Sequence, residues 1–391
     1  MRILYITLEN LSLHKGSVVH VKEVVNGLRQ FGHQVGLIAS SSSRNKETVH
    51  FYNLNIIPSF VLRLLMLKRQ PHIASLLILL LYLIKILPQY DIIYARDFHA
   101  VIIAQLPRLV FRKKLVFEIN GIANEEWRLK KDSFLNHILV SFIKRAEKMA
   151  TRYSEKIISV APKIKLYLTQ HFNCPSEKID VIPNGVNAKM FCPIHNSPFL
   201  VQWKNRLGIR AQDTVIAYVG NLAPWQGIND LIEIAFRLLY KNKDLKFLIV
   251  GEGPLKSLLG KKVLNSGYGG DIVLTGMVNH EEIPFIINLA DICVAPLRVV
   301  TGSPIKVFEY MACGKPVVTS RIEGLEFIEA EGVGLLTEPE DITGLEEALS
   351  ELIKEPRKRV NMGQKGIQIV RERFSWESRV TEVEALLRKL V

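Results

Sequence analysis

The residues best placed for chemistry lie in one stretch, 301–316, which reads TGSPIKVFEYMACGKP. Gly302, Ser303 and Pro304 open a helix there, with the proline near its first position, where a missing N–H costs nothing. The first amides of that helix, on Ile305 and Lys306, have no acceptor within it and stand at its positive end. That is a site for an anion such as a diphosphate. Lys306 adds a full charge, and Glu309, one turn on, is spaced to accept two hydrogen bonds from a ribose diol. Taken by composition alone, the stretch is an ordinary helix with a surface glutamate.

Groups of this kind need a scaffold, and the surrounding pattern supplies one. Strands are expected at 3–7, 35–39, 92–95, 115–119, 156–160 and 179–182, and again at 214–219, 245–250, 271–275, 291–295, 315–320 and 334–336. Helices fill most of the gaps. Val21, Val24, Val25 and Leu28 recur at helical spacing after Gly16, and a further helix is expected over 228–240. Repeated strand–helix alternation predicts α/β architecture with parallel sheets covered on both faces. The Pro- and Gly-bearing stretch 183–212 places the seam, giving domains 1–196 and 197–373, with a helix over 374–391 able to pack back on the first. In open parallel sheets ligands bind beyond the carboxyl ends of the strands. The glycines that close strands here, Gly220, Gly251 and Gly276, are therefore the next places to look. GEGP at 251–254, with Gly251 and Gly253, is not a dinucleotide fingerprint, because Pro254 interrupts it. It reads as a tight turn bringing backbone near a phosphate or base.

The chain has 391 residues with a net charge of +13, unevenly spread. Residues 1–200 hold 27 Lys+Arg and 13 Asp+Glu, a balance of +14, while 201–391 carry −1. That asymmetry favours an anionic surface for the first domain only. Basic–aromatic interleaving of the nucleic-acid type is missing, so no nucleic-acid partner is expected. Four scattered cysteines, 174, 192, 293 and 313, form no CxxC pair and fit a reduced, cytoplasmic protein. The run 73–87 (IASLLILLLYLIKIL) is too short to span a bilayer. It reads as a buried helix or one that dips into lipid, flanked by Arg63, Lys68, Arg69 and Lys85.

The order and spacing of several stretches resemble the family-4 retaining glycosyltransferases of the GT-B fold. They are GSVVHVKEVVNGLRQFGHQV, IPNGVN, YVGNLAPWQGINDLIEIA, FLIVGEGP, VLTGMV, GSPIKVFEYMACGKPVVTS, and the tail GVGLLTEPED with RERFSW. DIIYARDFHA and LVFEINGIANEE further resemble a subgroup tied to exopolysaccharide or lipid-linked glycan assembly. The resemblance implies two Rossmann-like domains facing a central cleft. It implies transfer of a sugar from a UDP- or GDP-linked donor to a glycan or lipid-linked acceptor, with retention of configuration.

By that resemblance Glu309 holds the nucleotide ribose, and Gly302, Ser303, Ile305 and Lys306 hold the diphosphate. Met277 and Val278 lie beside the base, and Gly16 is the loop that closes over the donor phosphates. Asn120 stands where many members carry a histidine near the reacting sugar. The departures are Thr301 in place of a usual glutamate, and Asn221 and Gln226 in place of a basic pair. Lys306 and Arg298 become candidate replacements for that pair, with Trp225 as a flat wall. On the acceptor side His20, Arg96 with Asp97, and Glu125 with Glu126 are further candidates. No Asp-x-Asp motif follows a strand, so no metal cofactor is expected. A nucleotide-sugar epimerase on the same fold and a degenerate, membrane-associated homologue are the competing functions. The expected location is the cytoplasm, at the inner face of the membrane.

Overall fold

The computed structural model describes residues 1–11, 16–40, 73–128, 134–299 and 302–391. Side chains from 73 to 79 are not among these, and neither are Arg63, Lys68, Arg69 and Thr301, so the expectations placed on them lie outside the described residues. The chain divides into two units.

Unit one comprises Met1–Asn184, Thr301–Ser303 and Arg379–Val391. Its strands are β1 (Arg2–Asn10), β2 (Gln34–Ser40), β3 (Ile92–Arg96), β4 (Lys114–Ile119), β5 (Lys156–Ser159) and β6 (Ile179–Val181). They form one parallel sheet in the order β2-β1-β3-β4-β5-β6. The five residues of β3 are all buried, as a strand covered on both faces must be. Helix Gly16–Gln30 turns Val18, Val21, Val24, Val25 and Leu28 onto the sheet, the stripe expected from the sequence. Helix Ile73–Ile86 occupies the apolar run. Leu83, Ile86 and Leu87 enter the core, while Leu81 and Ile84 stay exposed. No helix among the described residues is long and apolar enough to cross a membrane.

Unit two comprises Gly185–Val300 and Pro304–Ser378. Its strands are β7 (Thr214–Val219), β8 (Leu245–Val250), β9 (Ile272–Gly276), β10 (Ile292–Ala295), β11 (Val317–Ser320) and β12 (Gly334–Thr337), ordered β12-β11-β10-β7-β8-β9. This is the doubly wound Rossmann order, with its switch point between β7 and β10. In unit one the corresponding switch lies between β1 and β3. Alternate residues of β7 and β8 feed two cores: Val215, Ala217 and Leu248 on one face, Ile216, Tyr218 and Phe247 on the other. The fold is α/β with two Rossmann-like domains.

The seam falls at Asn184, inside the expected stretch 183–212 but before the expected boundary at 196, because residues 185–196 pack with unit two. Val186 and Phe191 sit in its core, and the Ile194 amide donates to Asn288 Oδ1 at 2.9 Å. The tail packs back as expected: its helix runs Trp376–Arg388, preceded by a bridge between Ser375 and Val186, and from Arg379 on it belongs with unit one. There Val380 meets Gly27, where any side chain would clash at 2.7 Å, and Glu384 lies 3.1 Å from His33.

Candidate functional site

In unit two, β7, β8 and β9 end side by side on glycine. The Gly220 amide donates to Val250 O and the Gly251 amide to Gly276 O, each at 2.9 Å. A Cβ on Gly251 would lie 1.9 Å from Gly220 O, and its φ is +138°, so only glycine fits. Gly253 packs equally tightly on Leu222 and the Asn221 side chain. The open floor left by Gly220 receives Lys306: a side chain on Gly220 would meet the Lys306 amine at 2.6 Å.

Lys306 comes from helix Ile305–Ala312. Its amine donates to Gln226 Oε1 at 2.6 Å and lies 3.3 Å from Tyr218 Oη, with the Tyr218 ring centre at 4.5 Å. Lys306 and Glu309 are half-buried by surface area, yet protein surrounds their charged ends, and lost hydration dominates both. Burial pushes the Lys306 amine down to about 7 against the opposing charge of Glu309. It pushes the Glu309 carboxyl up to about 7 against Lys306. Glu309 makes no side-chain hydrogen bond or ion pair among the described residues. The helix begins beside Pro304, its N-cap, which supplies no side-chain cap. Its carbonyl takes the Val307 amide at 3.1 Å, leaving the Ile305 and Lys306 amides without a protein acceptor among the described residues.

Arg298 cannot serve as a replacement charge. It is bidentate on Asp230 at 2.6 and 2.9 Å, a pairing that uses up its fork. Gln226 is engaged by Lys306, and Asn221 offers its carbonyl to Tyr218 Oη at 2.7 Å. Trp225 and Met277 are exposed. The Met277 amide donates to the Glu252 carboxylate, which also pairs with Lys256, and Val278 packs at the edge of the core.

Unit one holds a second polar centre at the carboxyl ends of β1, β3 and β4. Its hub is Glu118, 1% exposed. The Asn120 amide donates to it at 2.6 Å, Arg96 Nε at 3.2 Å and Tyr94 Oη as well. His20 Nε2 lies 2.8 Å away. Burial alone would raise the Glu118 carboxyl; His20, Arg96 and Tyr94 reverse that and hold it at about 2. His20 Nδ1 faces Asn184 Oδ1 at 2.7 Å, while the Asn184 amide nitrogen donates to Ser303 O at 2.9 Å. Asp97 follows Arg96 with φ 72° and ψ 147°. Burial pushes its carboxyl up to about 6, against the pull of Arg96.

Several site residues expected from the sequence thus meet here. His20, Arg96 and Asn120 converge on Glu118. Gly302 packs on the Asn120 carbonyl, where a Cβ would come within 2.4 Å. Ser303 is held by Asn184, its Oγ accepting the Asn184 amide at 3.3 Å. Gly16 opens its helix and is exposed. Glu125 sits half-buried on helix Ala123–Arg128 with no hydrogen bond or ion pair among the described residues; the Glu126 side chain is not described. Sequence reasoning passed over Glu118, Tyr94, Asn184 and Tyr218. Glu118 had a signal, a lone carboxylate inside an apolar strand, since such groups are buried only when paired. Among the described residues no cluster of His, Cys, Asp and Glu could hold a metal ion, and the four cysteines are free thiols.

Comparison with known proteins agrees with this architecture. Residues 201–369 match the family model described as glycosyl transferases group 1, and residues 14–189 match glycosyltransferase family 4. An uncharacterized glycosyltransferase of Methanocaldococcus jannaschii, MJ1607, is 24% identical over 93% of this chain and 91% of its own. A GDP-mannose-dependent monoacylated alpha-(1-6)-phosphatidylinositol monomannoside mannosyltransferase of Corynebacterium glutamicum is 30% identical over 50% of this chain and 52% of its own. Among solved structures, Anabaena Alr3699/HepE in complex with UDP superposes with a TM-score of 0.78 at 19% identity, covering all of both chains. The same Anabaena protein has also been solved with UDP-glucose.

Proposed function

We propose that this chain, a glycosyltransferase of the group 1 type, moves a sugar from a nucleotide-diphosphate donor to a glycan or lipid-linked acceptor, with retention of configuration. The observation that carries the reading is the set of uncompensated groups in unit two. Two helix-end amides and a carboxylate that have no hydrogen-bond partner among the described residues, with an amine over a glycine floor, suit a diphosphate followed by a ribose. UDP and UDP-glucose in the Anabaena neighbour, and GDP-mannose in the name of a relative, support a nucleotide sugar and leave the base open between uridine and guanosine.

In this reading Ile305 and Lys306 meet the charge that develops on the departing diphosphate. They act from fixed positions, so no reorganisation accompanies the step. Glu309 fixes the ribose, while Gly251, Gly253, Met277 and Val278 flank the nucleoside. Unit one supplies the acceptor-side groups: Asn120 beside the reacting sugar, then His20, Arg96 and Glu125, with Gly16 at the loop over the donor. The leaving phosphate takes the acceptor proton as the new bond forms on the same face. Leaving-group charge is assigned to protein groups and not to a metal ion. The acceptor brings unit one to an anionic membrane surface on the cytoplasmic side.

The test is a panel of UDP- and GDP-linked sugars screened for protection against thermal unfolding. A donor held a hundredfold above its Kd stabilises by about 2.7 kcal/mol. The protecting donor is then offered with lipid-linked and free glycan acceptors, with and without EDTA, and the anomer of the product read by NMR. Protection by a nucleotide sugar, acceptor-dependent turnover that survives chelation and a retained anomer are expected. A panel without any protecting member would overturn the reading, and an inverted product would overturn its stereochemical part.

A further inference from the structure

Three helices of unit one form a layer: Phe98–Val110 packs against both Ile73–Ile86 and Phe134–Tyr153. A surface helix ordinarily turns its polar side outward. Helix Phe134–Tyr153 turns large apolar side chains outward as well, among its exposed cations. Ile143, Glu147 and Ala150 face inward, while Ile138, Phe142 and Met149, spaced four and seven residues apart, stand 49%, 69% and 44% exposed. The neighbouring helix ends the same way, with Leu106, Leu109 and Val110 all more than half exposed.

The charges of this layer have one sign. Helices Ile73–Ile86 and Phe98–Val110 contain no acidic residue. The single one in Phe134–Tyr153, Glu147, is buried and taken up by the Ala123 and Asn124 amides and the Asn124 side chain. Exposed among the apolar side chains are Arg112, Lys144, Arg145, Lys148 and Arg152, with no acidic partner among the described residues.

We propose that this layer, and chiefly the outer face of Phe134–Tyr153 with the end of Phe98–Val110, is a docking surface for an anionic lipid bilayer. The proposal rests on the reading of a lipid-linked acceptor at a membrane, and it names the surface. Apolar side chains standing among unpaired cations, on a helix that cannot span, are the composition of an element that lies in the headgroup region. An acidic soluble protein would answer the cations and leave Phe142 and Leu109 in water. A bilayer answers both. Charge complementarity therefore selects the occupant.

The experiment is cosedimentation of the full chain with vesicles of phosphatidylcholine alone or with about a third phosphatidylglycerol. At low salt the chain is expected to pellet with the acidic vesicles at least tenfold more than with the neutral ones, and high salt should reduce that binding. Phe142→Ser with Leu109→Ser, which leaves the charge untouched, should lower the bound fraction severalfold. Lys144→Gln with Lys148→Gln should do the same, while Tyr240→Ser, an exposed apolar residue of unit two, should not. Melting curves confirm that each variant folds, and Phe142→Trp, a milder change, should shift its emission to the blue on acidic vesicles. A chain that stays in the supernatant, or binding indifferent to both sets of variants, overturns the proposal. Nucleotide-sugar turnover on a soluble acceptor is measured in parallel, so loss of docking and loss of transferase activity are told apart.

Discussion

Each unit keeps a polar centre at the carboxyl end of its sheet, and the two are balanced in opposite ways. In unit one Glu118 is met on every side, by His20, Arg96, Tyr94 and Asn120, and its carboxyl is held at about 2. In unit two the Lys306 amine is hydrogen-bonded only by neutral oxygens and Glu309 has no hydrogen-bond partner among the described residues; the two charges pull on each other, but burial outweighs that pull and brings both to about 7. A buried charge that is fully paired holds structure. One left unpaired is a standing cost to the fold that a ligand can relieve. The first arrangement positions groups; the second waits for an anion and a diol.

The sharpest way to break that contrast is to remove the hub. Glu118→Ala takes the central carboxylate from Arg96 and His20, leaving Arg96 the Glu9 carboxylate at 3.5 Å and His20 the Asn184 Oδ1. Losing one member of a buried charge network costs about 3–5 kcal/mol. Urea unfolding should show that loss in the midpoint at unchanged slope, and Glu118→Ala with Arg96→Met should recover part of it. A loss below about 1 kcal/mol would mean that the cluster is not what holds this edge of the sheet.

Much of this contrast could be read in the sequence, but not its balance. Strand endings at Gly220, Gly251 and Gly276 were legible because glycine with positive φ leaves a compositional mark. The helix at 305 was legible because proline and glycine punctuate its start. Partnerships were not. Nothing in the spacing of Arg298 reveals that it is spent on Asp230, 68 positions away, and nothing near Gly302 reveals that it lies against the Asn120 carbonyl. Such pairs are set by which strands become neighbours, and β4 reaches β3 only through a helix crossover. Within the expected seam 183–212, the boundary at Asn184 was placed too late, at 196, for a related reason. Residues 185–196 have the composition of a linker but carry Val186 and Phe191, whose burial assigns them to unit two.

A smaller effect sharpens the other side. If Lys306 and Glu309 await a nucleotide sugar, Glu309→Gln and Lys306→Met should each weaken donor binding by about 1.5–3 kcal/mol at pH 7 without lowering the melting temperature. Their pH limbs should separate. An anion beside Lys306 raises its pKa from about 7, so binding takes up a proton and affinity falls as pH rises above 7. Ribose hydroxyls donate to ionised Glu309, so binding releases a proton and affinity falls as pH drops below 7. Calorimetric titration with a nucleotide sugar, whose diester phosphates do not titrate in this range, should give an optimum near neutrality. Glu309→Gln should lose the acid limb and Lys306→Met the alkaline one. A flat profile in the parent chain would detach both residues from the ligand.

The least effect is expected where unit one departs from its own pattern. Asp97 lies beside the compensated hub, yet its backbone at φ 72° and ψ 147° is in a region that side chains avoid, and burial holds its carboxyl at about 6. Strain of this kind costs about 1–3 kcal/mol, and glycine relieves it while adding roughly 0.5–1 kcal/mol of chain entropy to the unfolded state. Asp97→Gly should therefore stabilise unit one by about 1 kcal/mol. The gain has a pH sign. A carboxyl raised from 3.8 to about 6 weakens the fold progressively as pH climbs between those values. The advantage of Asp97→Gly should accordingly be larger at pH 8 than at pH 4. If the variant is also slower in transfer at unchanged donor affinity, Asp97 belongs with the acceptor-side groups, and the strain persists because the reaction uses it. If it is destabilised at both pH values, Asp97 is one more fully compensated member of the Glu118 network, and the contrast between the units holds without exception.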